Sequence, residues 1–193
     1  MPVGMAFRKK PDYFAPDPAL VEKRLRLRPL YRGRSVDFCA DEVRLPDGGR
    51  ATREYLHHHG AVGVLPFLDR RTVVLVRQFR YPVGEVTLEL PAGKLDPGES
   101  RLACVKRELR EETGYTARRI RHLLDYWPTP AFSDELLRLY WADGLVPGRH
   151  APDRDEFIAA VAVPYRKALD LVWRGRIRDS KTVIALLAAR DRV

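Results

Sequence analysis

Four glutamates, Glu99, Glu108, Glu111 and Glu112, stand at fixed distances in the run GKLDPGESRLACVKRELREETGY, residues 93–115. Gly93 is followed by five residues and Glu99, then by seven residues and Arg107-Glu108-Leu109, then by one residue and Glu111-Glu112. One further residue leads to Gly114 and Tyr115. Pro97-Gly98 predicts a turn, and Ser100 opens a stretch in which Leu102, Val105 and Leu109 recur at helical spacing until Gly114 offers a left-handed stop. On such a helix Glu108 and Glu112 lie one turn apart on one face, and Arg107 stands in the same relation to Glu111 on a neighbouring face. Carboxylates brought that close raise one another's pKa unless a cation lies between them, and all-oxygen clusters suit hard divalent ions. The expected chemistry is a Mg²⁺ or Mn²⁺ site on Glu108 and Glu112, with Arg107 a structural partner for Glu111. The competing reading is a solvated helix whose glutamates make ordinary ion pairs.

That helix needs a scaffold. Apolar strands are predicted over residues 62–67, 73–78 and 87–91 before it, and over 122–127, 136–142 and 157–163 after it, with helices at 165–172 and 180–190. A mixed sheet flanked by helices is the simplest α/β architecture for that order. Upstream, residues 1–18 carry Pro11, Pro16 and Pro18 and read as an extended arm. Alternating segments at 24–31, 35–45 and 51–57, with a Pro46-Asp47-Gly48-Gly49 turn, predict hairpin-like strands. Three strands cannot bury enough surface alone, so this piece must pack on its own domain or on a second subunit.

Composition bounds the function. At 193 residues the chain can bury a full core. Its start, MPVGMAFRKKPDYF, lacks the apolar stretch of a signal peptide, and the longest apolar run, residues 183–189, is too short to span a bilayer, so a cytoplasmic protein with no membrane partner is expected. Cys39 and Cys104 show no ligand spacing. The net charge of +9 raises the question of an anionic partner, but the basic residues are scattered and mostly arginine, and a nucleic-acid partner is not expected. Of the consecutive histidines His57 to His59, a strand puts only His57 and His59 on one face, and no metal role is expected for them.

The 93–115 run resembles the signature of the Nudix hydrolase family at every specified position. The chain is further similar to the ADP-ribose pyrophosphatases of that family in Tyr31-Arg32-Gly33, Leu45-Pro46-Asp47-Gly48 and Arg53-Glu54. The same holds for Val76-Arg77-Gln78-Phe79-Arg80 and Leu88-Glu89-Leu90-Pro91-Ala92-Gly93. The resemblance implies the Nudix α/β/α sandwich with a small N-terminal antiparallel β domain. It implies a division into residues 1–57, an arm and dimerisation sheet, and 58–193, the catalytic domain, in a homodimer that exchanges the first part. The segment TPAFSDE, ending at Glu135, resembles the substrate-distinguishing Ser-Pro-Gly-Phe-Ser/Thr-Asp-Glu element of the subfamily. Thr129 and Ala131 depart from it, and Ala131 restricts backbone angles that glycine leaves open.

A diphosphate linkage repels hydroxide, so its hydrolysis requires cations on the phosphoryl oxygens and a base for the water. The resemblance implies that Glu108, Glu112 and the carbonyl of Ala92 ligate the metal, with Glu99 and Glu111 completing the acidic rim. Arg80 and Arg53 are suited to grip phosphate as two-pronged donors, and Glu89 and Glu135 fall in the segments expected to contact substrate. The water-activating base is expected in a charged loop, Asp153-Arg154-Asp155-Glu156, at Glu156. Tyr31, Phe38 and Phe79 could stack on a base, but core packing is the expected place for each. The expected activity is Mg²⁺-dependent (or Mn²⁺-dependent) cleavage of ADP-ribose or a related nucleoside diphosphate sugar to a nucleoside monophosphate and a sugar phosphate. The alternatives are a Nudix pyrophosphatase for GDP-mannose, a dinucleoside polyphosphate or an oxidised nucleotide, and a non-catalytic nucleotide- or RNA-binding module.

Overall fold

The computed structural model describes residues 14–34, 36–149 and 157–190. The first part of the chain builds an antiparallel sheet from β1 (Lys23–Arg26), β2 (Pro29–Arg32), β3 (Asp37–Arg44) and β4 (Arg50–His57). β1 and β2 share one edge of β3, and β4 takes the other. The single strand expected over 24–31 is thus two. Pro29 brings no N–H to a ladder, and just before it the Arg28 N–H leaves the strand to donate to Asp41 Oδ1 at 2.8 Å. Asp41 is 3% exposed and also accepts from the Tyr55 hydroxyl at 3.1 Å, so one buried carboxylate satisfies the break.

The second sheet sets β11 (Ala159–Pro164), β6 (Thr72–Arg80), β5 (Ala61–Asp69), β10 (Leu137–Pro147) and β9 (Tyr115–Tyr126) side by side in that order. β7 (Glu85–Glu89) extends β6, and a strand the sequence reading lacks, β8 (Ala92–Lys94), pairs with β5. All neighbours are antiparallel except β10, which runs parallel to β5 with Leu137 opposite Ala61. β5 is apolar from Ala61 to Phe67 because both of its faces are covered. Val62 and Val64 pack with Cys104, Val105 and Leu109 of α1 (Arg101–Thr113). Ala61, Leu65 and Phe67 pack with Tyr165 and Ala168 of α2 (Tyr165–Trp173) and with Ala185 and Leu186 of α3 (Ser180–Ala188). The period-two alternation of one strand therefore sorts the three helices onto opposite faces, giving the expected α/β/α sandwich with a mixed sheet.

The two sheets meet at the end of β4. Leu56 donates its N–H to Phe132 O at 2.9 Å and accepts from Asp134 N at 3.3 Å. His57 Nδ1 lies 2.6 Å from Asp134 Oδ2, which gives this histidine a structural partner. Among the described residues no helix is long and apolar enough to cross a membrane.

Candidate active site

α1 begins and ends where its sequence dictates. Ser100 Oγ accepts from Ala103 N at 3.2 Å, and Gly114 takes φ 74° while its N–H closes on Arg110 O at 2.8 Å. The helix buries Glu108 and Glu112, 8% and 3% exposed, beside Val105 and Leu109 and against β8. Glu112 Oε2 accepts from the Ala92 N–H at 3.1 Å. A Cβ on Gly93 would lie 1.7 Å from Glu108 Oε1, so the close approach of this carboxylate to the strand requires glycine.

Arg107 is the hub of the remaining acids. Its Nε and Nη2 fork onto Glu99 at 2.9 Å each, Nη1 reaches Glu108 Oε1 at 2.7 Å and Glu111 Oε2 at 3.2 Å, and Nη2 also donates to Lys94 O at 3.1 Å. The expected pairing with Glu111 exists, but Glu99 is the principal partner and Glu108 shares the same guanidinium. Hydrogen bonding to Arg107 holds the Glu99 carboxyl down at about 2, and the guanidinium is pushed up in return. Arg107 is divided among three of these acids and Arg110 reaches Glu111 at 3.4 Å, so four carboxylates, two of them buried, gather on this face, a setting that suits a hard dication. Among the described residues no three ligating side chains converge into a closed cage. The protein therefore offers two buried carboxylates turned toward a strand, a sparse oxygen set that leaves a divalent ion room for water and phosphate.

A cleft of about 700 Å³ is lined by Arg80, Glu85, Thr87, Glu89, Arg178 and Lys181 among others. At its floor Glu89, 2% exposed, accepts from Arg80 Nε and Nη2 at 2.8 and 2.7 Å, from Thr87 Oγ1 at 2.6 Å and from Lys181 Nζ. Lys181 also bonds Asp179 Oδ1 at 2.7 Å, and Asp179 caps α3 through Thr182 N at 3.0 Å. Glu89 thus lies beneath Arg80, aiming it with two parallel bonds and leaving its other N–H donors for a ligand. Arg178, Asp179 and Lys181 were not among the expected site residues. Their only local signal is a helix start at Asp179-Ser180.

Burial alone would push the Glu89 carboxyl up, yet Arg80, Lys181 and Thr87 together hold it at about 2, below its ordinary 4.5. A carboxyl depressed on folding contributes stability that is complete above the unfolded value, from about pH 5, and is lost as the pH falls toward 2. Denaturant midpoints taken from pH 7 to 3 are expected to fall for the parent protein and to fall less steeply for Glu89→Gln. Parallel profiles for the two proteins would contradict the assignment.

The other expected residues are less gathered. Arg53 lies exposed on β4 and forks onto Glu22, with Nε to Oε2 at 2.8 Å, and no bond joins it to the Arg80 cleft among the described residues. Glu135 Oε1 stands 3.9 Å from His58 Nδ1 in the loop docked on β4. Burial lowers the pKa of His58 despite the pull of that carboxylate. Glu156, with Asp153, Arg154 and Asp155, lies outside the described residues. Tyr31 and Phe79 are not core residues, being 66% and 58% exposed, because β2 and the end of β6 lie on uncovered edges.

Comparison with known proteins fits this geometry. A NUDIX domain model matches residues 57–186, more than half of the chain. The methanol dehydrogenase activator of Bacillus methanolicus is 38% identical over 167 residues, covering 86% of this chain and 90% of its own length. The ADP-ribose pyrophosphatase of Bacillus subtilis (strain 168) is 35% identical over 170 residues, covering 87% and 92%. The crystal structure of an ADP compounds hydrolase superposes with a TM-score of 0.77 over 89% of this chain and 93% of its own, at 23% identity, a likeness of fold. With the signature helix capped as its residues require and its glutamates turned onto β8, the chain belongs to the Nudix family.

Proposed function

We propose that this protein is a Mg²⁺- or Mn²⁺-dependent pyrophosphatase that splits the diphosphate bond of ADP-ribose, or of a closely related nucleoside diphosphate sugar, into a nucleoside monophosphate and a sugar phosphate. The observation that carries this is the burial of Glu108 and Glu112, one helical turn apart, against the glycine-bearing strand β8 beside Glu99 and Glu111. The relative named as an ADP-ribose pyrophosphatase supports the substrate class. Glu108, Glu112 and the Ala92 carbonyl would hold the ion, while Glu99 and Glu111, tied through Arg107, brace the helix face. Bound there, a divalent ion would supply positive charge against the phosphoryl oxygens and lower the pKa of a bound water. Arg80, aimed by Glu89, binds a phosphoryl oxygen at the cleft, and Glu156 takes the proton of the attacking water.

Glu156→Gln is expected to lower kcat by about two to four orders of magnitude while KM stays near the parent value, as loss of a general base does. A near-normal rate would reject Glu156. For the substrate, ADP-ribose, GDP-mannose, a dinucleoside polyphosphate and an oxidised nucleotide are assayed with Mg²⁺. ADP-ribose is expected to give the highest kcat/KM, with AMP as product. Fastest turnover of a compound without a diphosphate sugar, or RNA binding with no hydrolysis, would overturn the proposal.

We further propose a homodimer that exchanges the N-terminal sheet, residues 1–57. β1 and β2 are exposed along their whole length, and Leu27, Leu30 and Tyr31 are open to solvent in the single chain, as are Phe79, Tyr81 and Val86 around the β6–β7 connection. Exposed apolar sets of this kind mark contact surfaces. A fully active monomer in light scattering would remove the dimer. Both cysteines are free and buried, which suits a reducing compartment, the cytoplasm.

A further inference from the structure

At the other end of the large sheet from Gly93, the turn joining β5 to β6 carries Asp69, Arg70 and Arg71. Arg70 and Arg71 border a hollow of about 810 Å³ together with Arg166 and Arg190, with Tyr165 in its lining. None of the four arginines has an ion-pair partner within 4 Å among the described residues. Asp69, the acid nearest in sequence, accepts from the Arg71 backbone N–H at 2.6 Å. Arg190, just past the end of α3, suits that helix's own dipole. Arg166 does the reverse, since it sits in the first turn of α2, where the residue before the helix is Pro164, no side chain caps the end and no acid stands in that turn. Gathering guanidinium groups at the positive end of a helix is unfavourable unless an anion comes to them.

The lining is rigid. The Tyr165 N–H donates to Arg71 O at 2.7 Å, and its buried hydroxyl donates to Leu186 O at 2.6 Å. A second hollow of about 610 Å³ shares Arg70 and is bordered by Phe67, Trp141, Arg119 and Arg121. Phe67 stacks on Trp141 at 4.1 Å and 16° and tilts against Tyr165 at 5.5 Å, so an aromatic row runs from one hollow to the next. The acid in this second hollow besides Asp69, Asp143, is engaged by Arg119 at 2.5 Å and by the Trp141 indole N–H at 3.1 Å. Among the described residues Arg121 has no ion-pair partner within 4 Å.

We propose that these adjoining hollows form a second ligand site, remote from the cleft, for a small phosphorylated molecule carrying a planar ring. Its phosphate sits among Arg70, Arg71, Arg166 and Arg190, and the ring enters beside Trp141. The arginines converge on concavities and do not line an extended stripe, which favours a nucleotide-sized ligand over a polynucleotide.

The test uses the full chain with divalent ions chelated, and inorganic phosphate, AMP and a short single-stranded RNA as probes in calorimetry. In the parent protein AMP is expected to bind more tightly than phosphate. The double variant Arg166→Ala with Arg190→Ala is expected to lose at least tenfold in affinity for both, while kcat and KM of hydrolysis with Mg²⁺ stay unchanged. Trp141→Phe is expected to weaken AMP and not phosphate. In phosphate-free buffer the double variant should melt no lower than the parent, because repulsion has been removed. Undiminished AMP binding in the double variant, absence of AMP and phosphate binding in the parent, or RNA binding through these arginines without AMP binding would each overturn the proposal. A lower melting temperature for the double variant would overturn the electrostatic argument beneath it. Failure of the pyrophosphatase reading would show only in the hydrolysis assay and leave this binding result intact.

Discussion

Gly93→Ala is expected to cut kcat by about two to three orders of magnitude with little change in melting temperature. The added methyl would lie 1.7 Å from Glu108 Oε1, 2.1 Å from its Cδ and 2.6 Å from Oε2, closer than any such atoms can stand. Only the far end of a flexible side chain is struck, and Gly93 is not among the glycines held at positive φ, so the backbone can keep its conformation. Glu108 instead swings away, loses its 2.7 Å bond to Arg107 and abandons its place against Gly93. A fold that survives with its chemistry removed is the signature of a displaced ligand. Steady-state kinetics with a Mg²⁺ titration, run beside a thermal melt, measures both halves. A variant with parental activity and parental metal dependence would show that the Glu108 carboxylate has no role at this strand.

Glu112→Gln is expected to reduce kcat by roughly three orders of magnitude or more. The substitution keeps the volume and keeps an oxygen for the Ala92 N–H that Glu112 now accepts at 3.1 Å. What disappears is the charge at a site 3% exposed, where the proposed cation would have few other protein ligands. Mn²⁺ binding followed by electron paramagnetic resonance supplies a readout independent of turnover, and its affinity is expected to drop at least tenfold. Mn²⁺ bound as tightly as in the parent, or hydrolysis at the parental rate, would remove Glu112 from the metal assignment.

The parts of this site that are legible in the sequence are those set by local chemistry. Ser100 and Gly114 bound α1 as expected because capping and left-handed glycine act within one turn. The face shared by Glu108 and Glu112 follows from helical periodicity alone. Arg107 shows the limit of that reasoning, since spacing on the helix points to Glu111, yet the turn after β8 brings Glu99 to the same guanidinium. β8 escaped notice because it has three residues, one of them the glycine that Glu108 presses against. Lys181 and Glu89 are 92 positions apart, so no periodicity links them until α3 is laid against the sheet. The break at Arg28 rests on Asp41, another partner supplied by the neighbouring strand. Tyr31 and Phe79 are exposed, against the expectation of core packing, for a related reason: aromatic residues on strands pack inward only where a covering layer exists.

The parallel contact between β5 and β10 shapes how this molecule is made. β5 leaves the ribosome early, but the strand that covers its edge arrives only after the whole signature helix and β9 have been synthesised. Until then a run of valine, leucine and phenylalanine presents an unpaired edge, the kind of surface that invites aggregation. The N-terminal hairpin can close at once, since its partners are neighbours in the chain. Closing the centre of the large sheet, which needs the longest loop, is therefore expected to limit the refolding rate, and stopped-flow refolding of a variant weakened at the β5–β10 contact would show it as a slower folding phase.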